Sequence, residues 1–290
     1  MPFTFSTGPH TIFIVQPTST HPRNTSHMEL AIALAQMEIA PSDPIKNLER
    51  MDQLVRKAKK LGAQLVVFPE DAVCGPLQGQ LDFVVHAPEY FAHFQALAIE
   101  QTIDIVPGTW TVAENGLLYN QAHYINADGT LAGIYRKINL WGTEKARITP
   151  GTLTSVFPTR FGRVGLIICW DIAFPAMFVD MVAQGVQLVI SPTYWSFTKG
   201  QDELGAVLDD EILLIDSLCT TRAFENNILF AYCNAAGELP DDAGDAVLSG
   251  RSQITHPLHK VVCKAEGNKE ELLFAEVALD PLPVAAPLPA

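Results

Sequence analysis

The sequence predicts an α/β fold built as one large domain, and three observations predict it. Short apolar runs that read as buried strands alternate with amphipathic helical stretches along most of the 290 residues. A helix-end, glycine, strand and proline unit occurs twice, as Leu61-Gly62-Ala63-Gln64-Leu65-Val66-Val67-Phe68-Pro69 and as Gln184-Gly185-Val186-Gln187-Leu188-Val189-Ile190-Ser191-Pro192. The composition is 48% hydrophobic, enough apolar material for a sizeable core. Two halves built alike point to paired sheets with helices outside, a layering that buries both faces of each sheet.

Taken in order, residues 1–27 are rich in Thr, Ser, Pro and His and read as a weakly ordered extension. They carry a short apolar patch at Thr11–Val15 but neither the basic segment nor the long apolar stretch of a signal peptide. The domain proper is expected over residues 28–280. Leu30–Ala35 is an apolar run suited to a strand buried on both faces. Pro44 then fits a first helical turn with Asp43 as its cap. Ile45, Leu48, Met51, Leu54, Val55, Ala58 and Leu61 follow at helical spacing, and Gly62 ends that helix. Leu65–Phe68 is the next strand, stopped by Pro69. Further strands are expected at Ile103–Val106, Leu118–Ile125, Leu131–Lys137, Arg163–Ile168, Ile228–Asn234, Ser249–Thr255 and Leu272–Ala278. Helices are expected at Tyr90–Gln101, Pro175–Gln184 and Val207–Phe224. The Pro- and Ala-rich residues 281–290 read as an irregular tail.

Charge and cysteine usage remove several function classes. The net charge is −13, from 32 acidic against 19 basic residues, with no basic stripe. Such a surface repels phosphate, so neither nucleic acid nor an anionic membrane is an expected partner. No apolar run approaches the length of a membrane span. The five cysteines are odd in number, widely spaced and without a CxxC pair. That argues against a disulfide scaffold or zinc ribbon and for a reducing compartment, the cytoplasm. His256 and His259 fit no metal-site spacing, and neither GxGxxG, a P-loop nor GxSxG occurs. No metal or cofactor is therefore expected.

Three positions can carry chemistry. Glu70 follows a buried strand and Pro69, at a carboxyl end where ligand sites of α/β folds gather; alone it reads more readily as a solvated loop carboxylate. Lys137 closes Tyr135-Arg136-Lys137, whose adjacent cations point to opposite faces if the strand persists. The one facing inward needs a carboxylate partner, because an isolated buried charge is expensive, but a basic strand end exposed to water is the more common case. Cys169 lies at a strand-to-helix turn, where a helix N-terminus can lower a thiol pKa and backbone N–H groups can bind an oxyanion. Alone, it reads more readily as a buried structural thiol.

Together these blocks resemble the carbon–nitrogen hydrolase (nitrilase) superfamily. The resemblance runs from about Leu30 to Asp280. It rests on Ala35-Gln36 with Asn47, the segment Gly62 to Glu70, Tyr135 to Leu140, Gly165 to Asp171, Arg222-Ala223-Phe224-Glu225-Asn226 and Gly250-Arg251-Ser252-Gln253-Ile254 with Pro257, all in the family's order. It implies a single-domain four-layer α-β-β-α sandwich and a homodimer or higher oligomer packed through outer helices, among them Pro175–Gln184 and Val207–Phe224. It also implies Glu70 as general base, Cys169 as nucleophile, and Lys137 with the Trp170 backbone N–H as oxyanion stabiliser. Glu144 matches a further glutamate that assists. Trp141, Trp170, Tyr194 and Trp195 lie beside matched positions and either wall a substrate pocket or pack in the core. The expected reaction is hydrolysis of a small linear amide or carbamoyl compound through a thioester. A nitrilase acting on a nitrile is the alternative, because Cys169-Trp170 matches that branch; a catalytically silent scaffold is a third. Ala173 and Ala176 stand where the family often has Arg and Glu, Asn139 replaces a frequent histidine and His259 a frequent glycine, so an unusual pocket is expected.

Overall fold

The computed structural model of the chain describes residues 11–15, 29–77, 81–198, 208–239 and 246–279. Two main sheets lie face to face. The first has eight strands, ordered Thr11–Val15, Glu271–Ala278, Glu29–Gln36, Leu65–Val67, Asp104–Val106, Leu117–Ile125 and Thr109–Glu114, with Leu131–Arg136 also paired to Leu117–Ile125. The second has six, ordered Lys260–Lys264, Gln253–His256, Leu229–Asn234, Leu188–Thr193, Gly162–Leu166 and Ser155–Thr159. The two copies of the repeated unit supply corresponding strands, Leu65–Val67 to the first sheet and Leu188–Thr193 to the second. Gly62 (φ 94°) and Gly185 (φ 79°) make the same left-handed exit from the preceding helix.

Strand alternation sorts the side chains into layers. Leu30, Ile32, Leu34, Leu65 and Val67 join the core between the sheets, with Tyr124 and with Leu229, Ala231 and Cys233 of the second sheet, whose Cys233 thiol donates to the Val67 carbonyl at 3.3 Å. Their neighbours Ala33, Ala35, Val66 and Phe68 face the other way, against helices α1 (Pro44–Lys60) and α2 (Ala87–Gln101) through Met51, Leu54, Val55, Ala58, Phe94 and Leu97. Helices α3 (Pro175–Ala183) and α4 (Leu208–Asn226) cover the second sheet through Met177, Phe178, Met181, Ile215, Cys219 and Ala223. The result is the expected α-β-β-α sandwich. Asp43 caps α1, its carboxylate accepting from the Lys46 N–H at 3.1 Å. No helix among the described residues is long and apolar enough to cross a membrane.

Several expectations shift. The extension 1–27 lies outside the described residues except for Thr11–Val15, which pairs parallel with Glu271–Ala278. The sequence TIFIV is β-branched and aromatic, and it adds to what would otherwise be the edge of the first sheet. The tail 281–290 lies outside the described residues. The strand expected at Ser249–Thr255 begins only at Gln253, because Gly250 and Arg251 both take positive φ and Ser249 Oγ accepts from Asn234 Nδ2 at 2.7 Å. Thr109–Glu114 is a strand that the apolar pattern did not reveal. Its hairpin signal is Asn115-Gly116, whose φ values of 52° and 77° make the turn to Leu117.

Candidate active site

Glu70, Lys137 and Cys169 leave three different strands and meet between the sheets. Glu70 follows Leu65–Val67 by way of Phe68-Pro69, and its backbone N–H donates to the Thr193 carbonyl of the second sheet at 3.3 Å. Gly108 (φ 77°) presses on this turn so closely that a Cβ there would stand 1.8 Å from the Pro69 carbonyl oxygen. Lys137 comes one residue after Leu131–Arg136, and the predicted division of the two cations holds. Arg136 turns out to Glu114 and the Tyr119 ring, while the Lys137 side chain is 2% exposed. Cys169 opens a short 3-10 turn (Cys169–Ala173) with φ at 50°, a left-handed backbone that few non-glycine residues adopt.

The inward lysine has the carboxylate it needs, and a second one. Lys137 Nζ donates to Glu70 Oε1 at 2.8 Å and to Glu144 Oε1 and Oε2 at 3.0 and 2.8 Å. Glu144 is fixed in turn by the Trp141 backbone N–H at 2.8 Å. Glu70 Oε2 accepts from the Tyr194 backbone N–H at 3.0 Å, and Glu70 also shares a hydrogen bond with the Cys169 side chain. Asp171 ties the lysine loop to the cysteine turn. It accepts from the Tyr135 hydroxyl (2.7 Å), the Asn139 N–H and side-chain amide (2.8 and 2.9 Å) and the Ile168 N–H (3.0 Å). Asn139 thus occupies its position as a partner of Asp171.

The electrostatics reverse one expectation. Burial first, and then the Glu70 carboxylate, push the Cys169 thiol well above its ordinary range, and Lys137 opposes only part of this. No helix N-terminus offsets it, because α3 starts only at Pro175, beyond the 3-10 turn. The resting sulfur therefore keeps its proton. Burial also raises Glu70, with Lys137 the chief opposing influence. Burial alone would lower Lys137, but Glu70, Cys169 and Glu144 together hold it well above the usual lysine range. A protonated thiol, a carboxylate hydrogen-bonded to it and a permanent ammonium thus sit side by side.

Three of the four candidate pocket aromatics come together. The Trp170 ring centroid is 4.5 Å from that of Trp141 and 5.4 Å from that of Trp195. Trp195 is anchored by its indole N–H to Glu211 of α4 at 3.1 Å. Tyr194 departs from this wall: its ring packs with the core under α1 and α2, and its backbone N–H is what reaches Glu70. Asn120 belongs to none of the motif blocks, yet it donates to Glu70 Oε1 at 2.8 Å. The available signal is its register, on the same inward face as Ala122 and Tyr124 of a buried strand.

Fold and site together are those of a hydrolase with a buried Glu-Lys-Cys cluster. The chain belongs to the carbon–nitrogen hydrolase family, whose profile matches residues 31–282, and it acts on carbon–nitrogen bonds other than peptide bonds. A protein of Schizosaccharomyces pombe named "Probable nitrilase" is 29% identical over 263 residues, covering 87% of this chain and 90% of its own. Omega-amidase NIT2 of Bos taurus is 28% identical over 263 residues, covering 87% and 89%. Among solved structures, an amidase from Nesterenkonia sp. AN1, with the acetamide moiety of fluoroacetamide covalently attached at its active-site cysteine, superposes with a TM-score of 0.75. It shares 25% identity and covers 90% of this chain and 94% of its own.

Proposed function

We propose that the chain hydrolyses a small linear amide or carbamoyl compound through a thioester on Cys169. The observation that carries this reading is the Lys137 ammonium held 2.8 Å from Glu70 beside the Cys169 thiol, all three buried. Glu70 takes the thiol proton as sulfur attacks the carbonyl carbon. Lys137 and the Trp170 backbone N–H stabilise the oxyanion. The carbon–nitrogen bond then breaks, and the nitrogen leaves as ammonia or an amine carrying the proton from Glu70. Water, deprotonated by Glu70, attacks the thioester; carboxylic acid leaves and the thiol is restored. Glu144 holds Lys137 in place and faces the substrate nitrogen. Trp141, Trp170 and Trp195 wall the acyl pocket. The named activities of the bovine and Nesterenkonia relatives support the amidase reading.

A nitrilase is the second reading, favoured by Cys169-Trp170 and by the name of the S. pombe relative. Ammonia release from matched amide and nitrile pairs separates the two: turnover of the amide supports the proposal, and turnover of the nitrile alone overturns it. We further propose a homodimer formed through α3 and α4. Val179, Val182, Leu213, Leu214 and Phe224 are exposed apolar side chains on that outer layer. Sedimentation of the intact chain tests this, and a monomer at micromolar concentration would contradict it.

A further inference from the structure

Asn120 occupies an unusual electrostatic position. Its side-chain amide lies between two carboxylates, donating to Glu70 Oε1 at 2.8 Å and reaching Glu144 Oε1 at 3.5 Å. Its backbone carbonyl accepts from the Lys137 backbone N–H at 3.0 Å, so one residue contacts both carboxylates and the main chain that carries the lysine. The residue is 4% exposed, and its Oδ1 is buried without a hydrogen-bond partner among the described residues. An asparagine kept only for packing would satisfy both ends of its amide. Here the acceptor is left orphaned while the donors serve the carboxylates. The opposite amide orientation would set Oδ1 against carboxylate oxygens, so the glutamates themselves dictate which end faces them.

We infer that Asn120 is a positioning residue for the general base: it fixes the Glu70 carboxylate between Lys137 and Cys169, spaces it from Glu144, and favours its ionised form. The inference rests on the reading of Glu70 as the base. The other titratable groups facing Glu70 are Lys137, Glu144, Cys169, Asp71 and the Tyr194 hydroxyl. Burial and Glu144 raise its proton affinity, Lys137 and the Cys169 hydrogen bond lower it, and Glu70 in turn raises Asp71. Removing the Asn120 donors therefore shifts the balance toward the protonated, inactive carboxyl.

Two variants test this, Asn120→Ala and the near-isosteric Asn120→Asp, which keeps the shape but removes the donors. The acidic limb of the kcat/KM profile is expected to move up by about one pH unit in Asn120→Ala and further in Asn120→Asp, where a like charge is added. The kcat falls by up to about a hundredfold with KM little changed, since the base and not the acyl pocket is disturbed. The pH dependence of Cys169 alkylation by iodoacetamide, located by peptide mass spectrometry, is expected to shift in the same direction and needs no substrate. A wild-type protein that releases no ammonia, but whose alkylation limb still moves in these variants, supports the positioning role while overturning the proposed substrate. Folded variants with unmoved limbs, or an Asn120→Asp profile matching wild type, overturn the inference. If Asn120→Ala fails to fold, the Asn120→Asp comparison decides.

Discussion

Replacing Lys137 with methionine removes the one cation from a buried cluster of carboxylates, and its consequences can be worked from the geometry. Lys137 Nζ stands 2.8 Å from Glu70 Oε1 and 2.8 Å from Glu144 Oε2, with side-chain exposures of 2% for Lys137, 3% for Glu70 and 25% for Glu144. Glu144 can hydrate, so the loss falls mainly on Glu70. Leaving one partner of a buried pair uncompensated costs about 3–5 kcal/mol. At roughly 2–4 °C per kcal/mol for a domain of this size, the midpoint should fall by about 6–20 °C. Glu70 can escape the penalty by taking a proton. Between the ordinary glutamate pKa of about 4.3 and its raised value in the variant, the folded state holds a proton that the unfolded chain has released. Stability then falls as pH rises through that window, so the deficit should be larger at pH 8 than at pH 5. Thermal unfolding followed by circular dichroism at both pH values measures it. The double variant Glu70→Gln/Lys137→Met should recover most of the loss, because a neutral amide needs no counter-ion. A deficit below about 1 kcal/mol at pH 8, equal deficits at both pH values, or a double variant with the summed losses of the singles would each refute the reasoning.

Three further perturbations follow from the same geometry. Gly108→Ala places a Cβ 1.8 Å from the Pro69 carbonyl at a φ of 77°, so the turn before Glu70 must move; activity should drop by at least about a hundredfold alongside a lowered unfolding midpoint, and wild-type kcat would show that this contact is not tight. Asp171→Ala removes the shared acceptor of Tyr135, Asn139 and Ile168. It should cost about 2–4 kcal/mol in denaturant unfolding and slow Cys169 alkylation, whereas a stable, reactive variant would mean the two loops hold themselves. Trp141→Ala changes a ring that is 58% exposed, so stability should stay within about 0.5 kcal/mol. Steady-state kinetics should show KM raised with kcat nearly unchanged; an unaltered KM removes Trp141 from the acyl wall.

The three residues of the site stand at strand ends, where each alone reads more readily as a solvated or structural side chain, and only the motif blocks taken together join them. A buried strand followed by Pro69-Glu70, and another closing on Arg136-Lys137, announce side chains delivered to the same edge of the layered sheets. Strand alternation asks for a carboxylate only for whichever of Arg136 and Lys137 faces inward; the structure turns Lys137 inward and supplies two. What stayed hidden depends on contacts made across the fold. Asn120 is a neutral residue in mid-strand, and its role exists only because Glu70 and Glu144 arrive from elsewhere. The Tyr194 contribution comes from a peptide N–H, which the side-chain identity does not encode. The proton affinity of the Cys169 thiol is hidden for the same reason. Local sequence gave a helix to come, but the intervening 3-10 turn and the nearby Glu70 set the proton affinity instead. In the fold, Asn115-Gly116 marked a hairpin that apolar periodicity passed over. Ser155–Thr159 carries Pro158, a residue confined to edge strands, and it does lie at the edge of the second sheet.

The central claim is that Cys169 carries the acyl group. Rapid quenching of the protein during turnover of an amide substrate, followed by peptide mass spectrometry, tests this most directly. The account predicts an acyl mass on the peptide containing Cys169, on none of the peptides containing Cys74, Cys219, Cys233 or Cys263, and no turnover by Cys169→Ala. Sustained amide turnover by Cys169→Ala, or an acyl group found on a different residue, would contradict it.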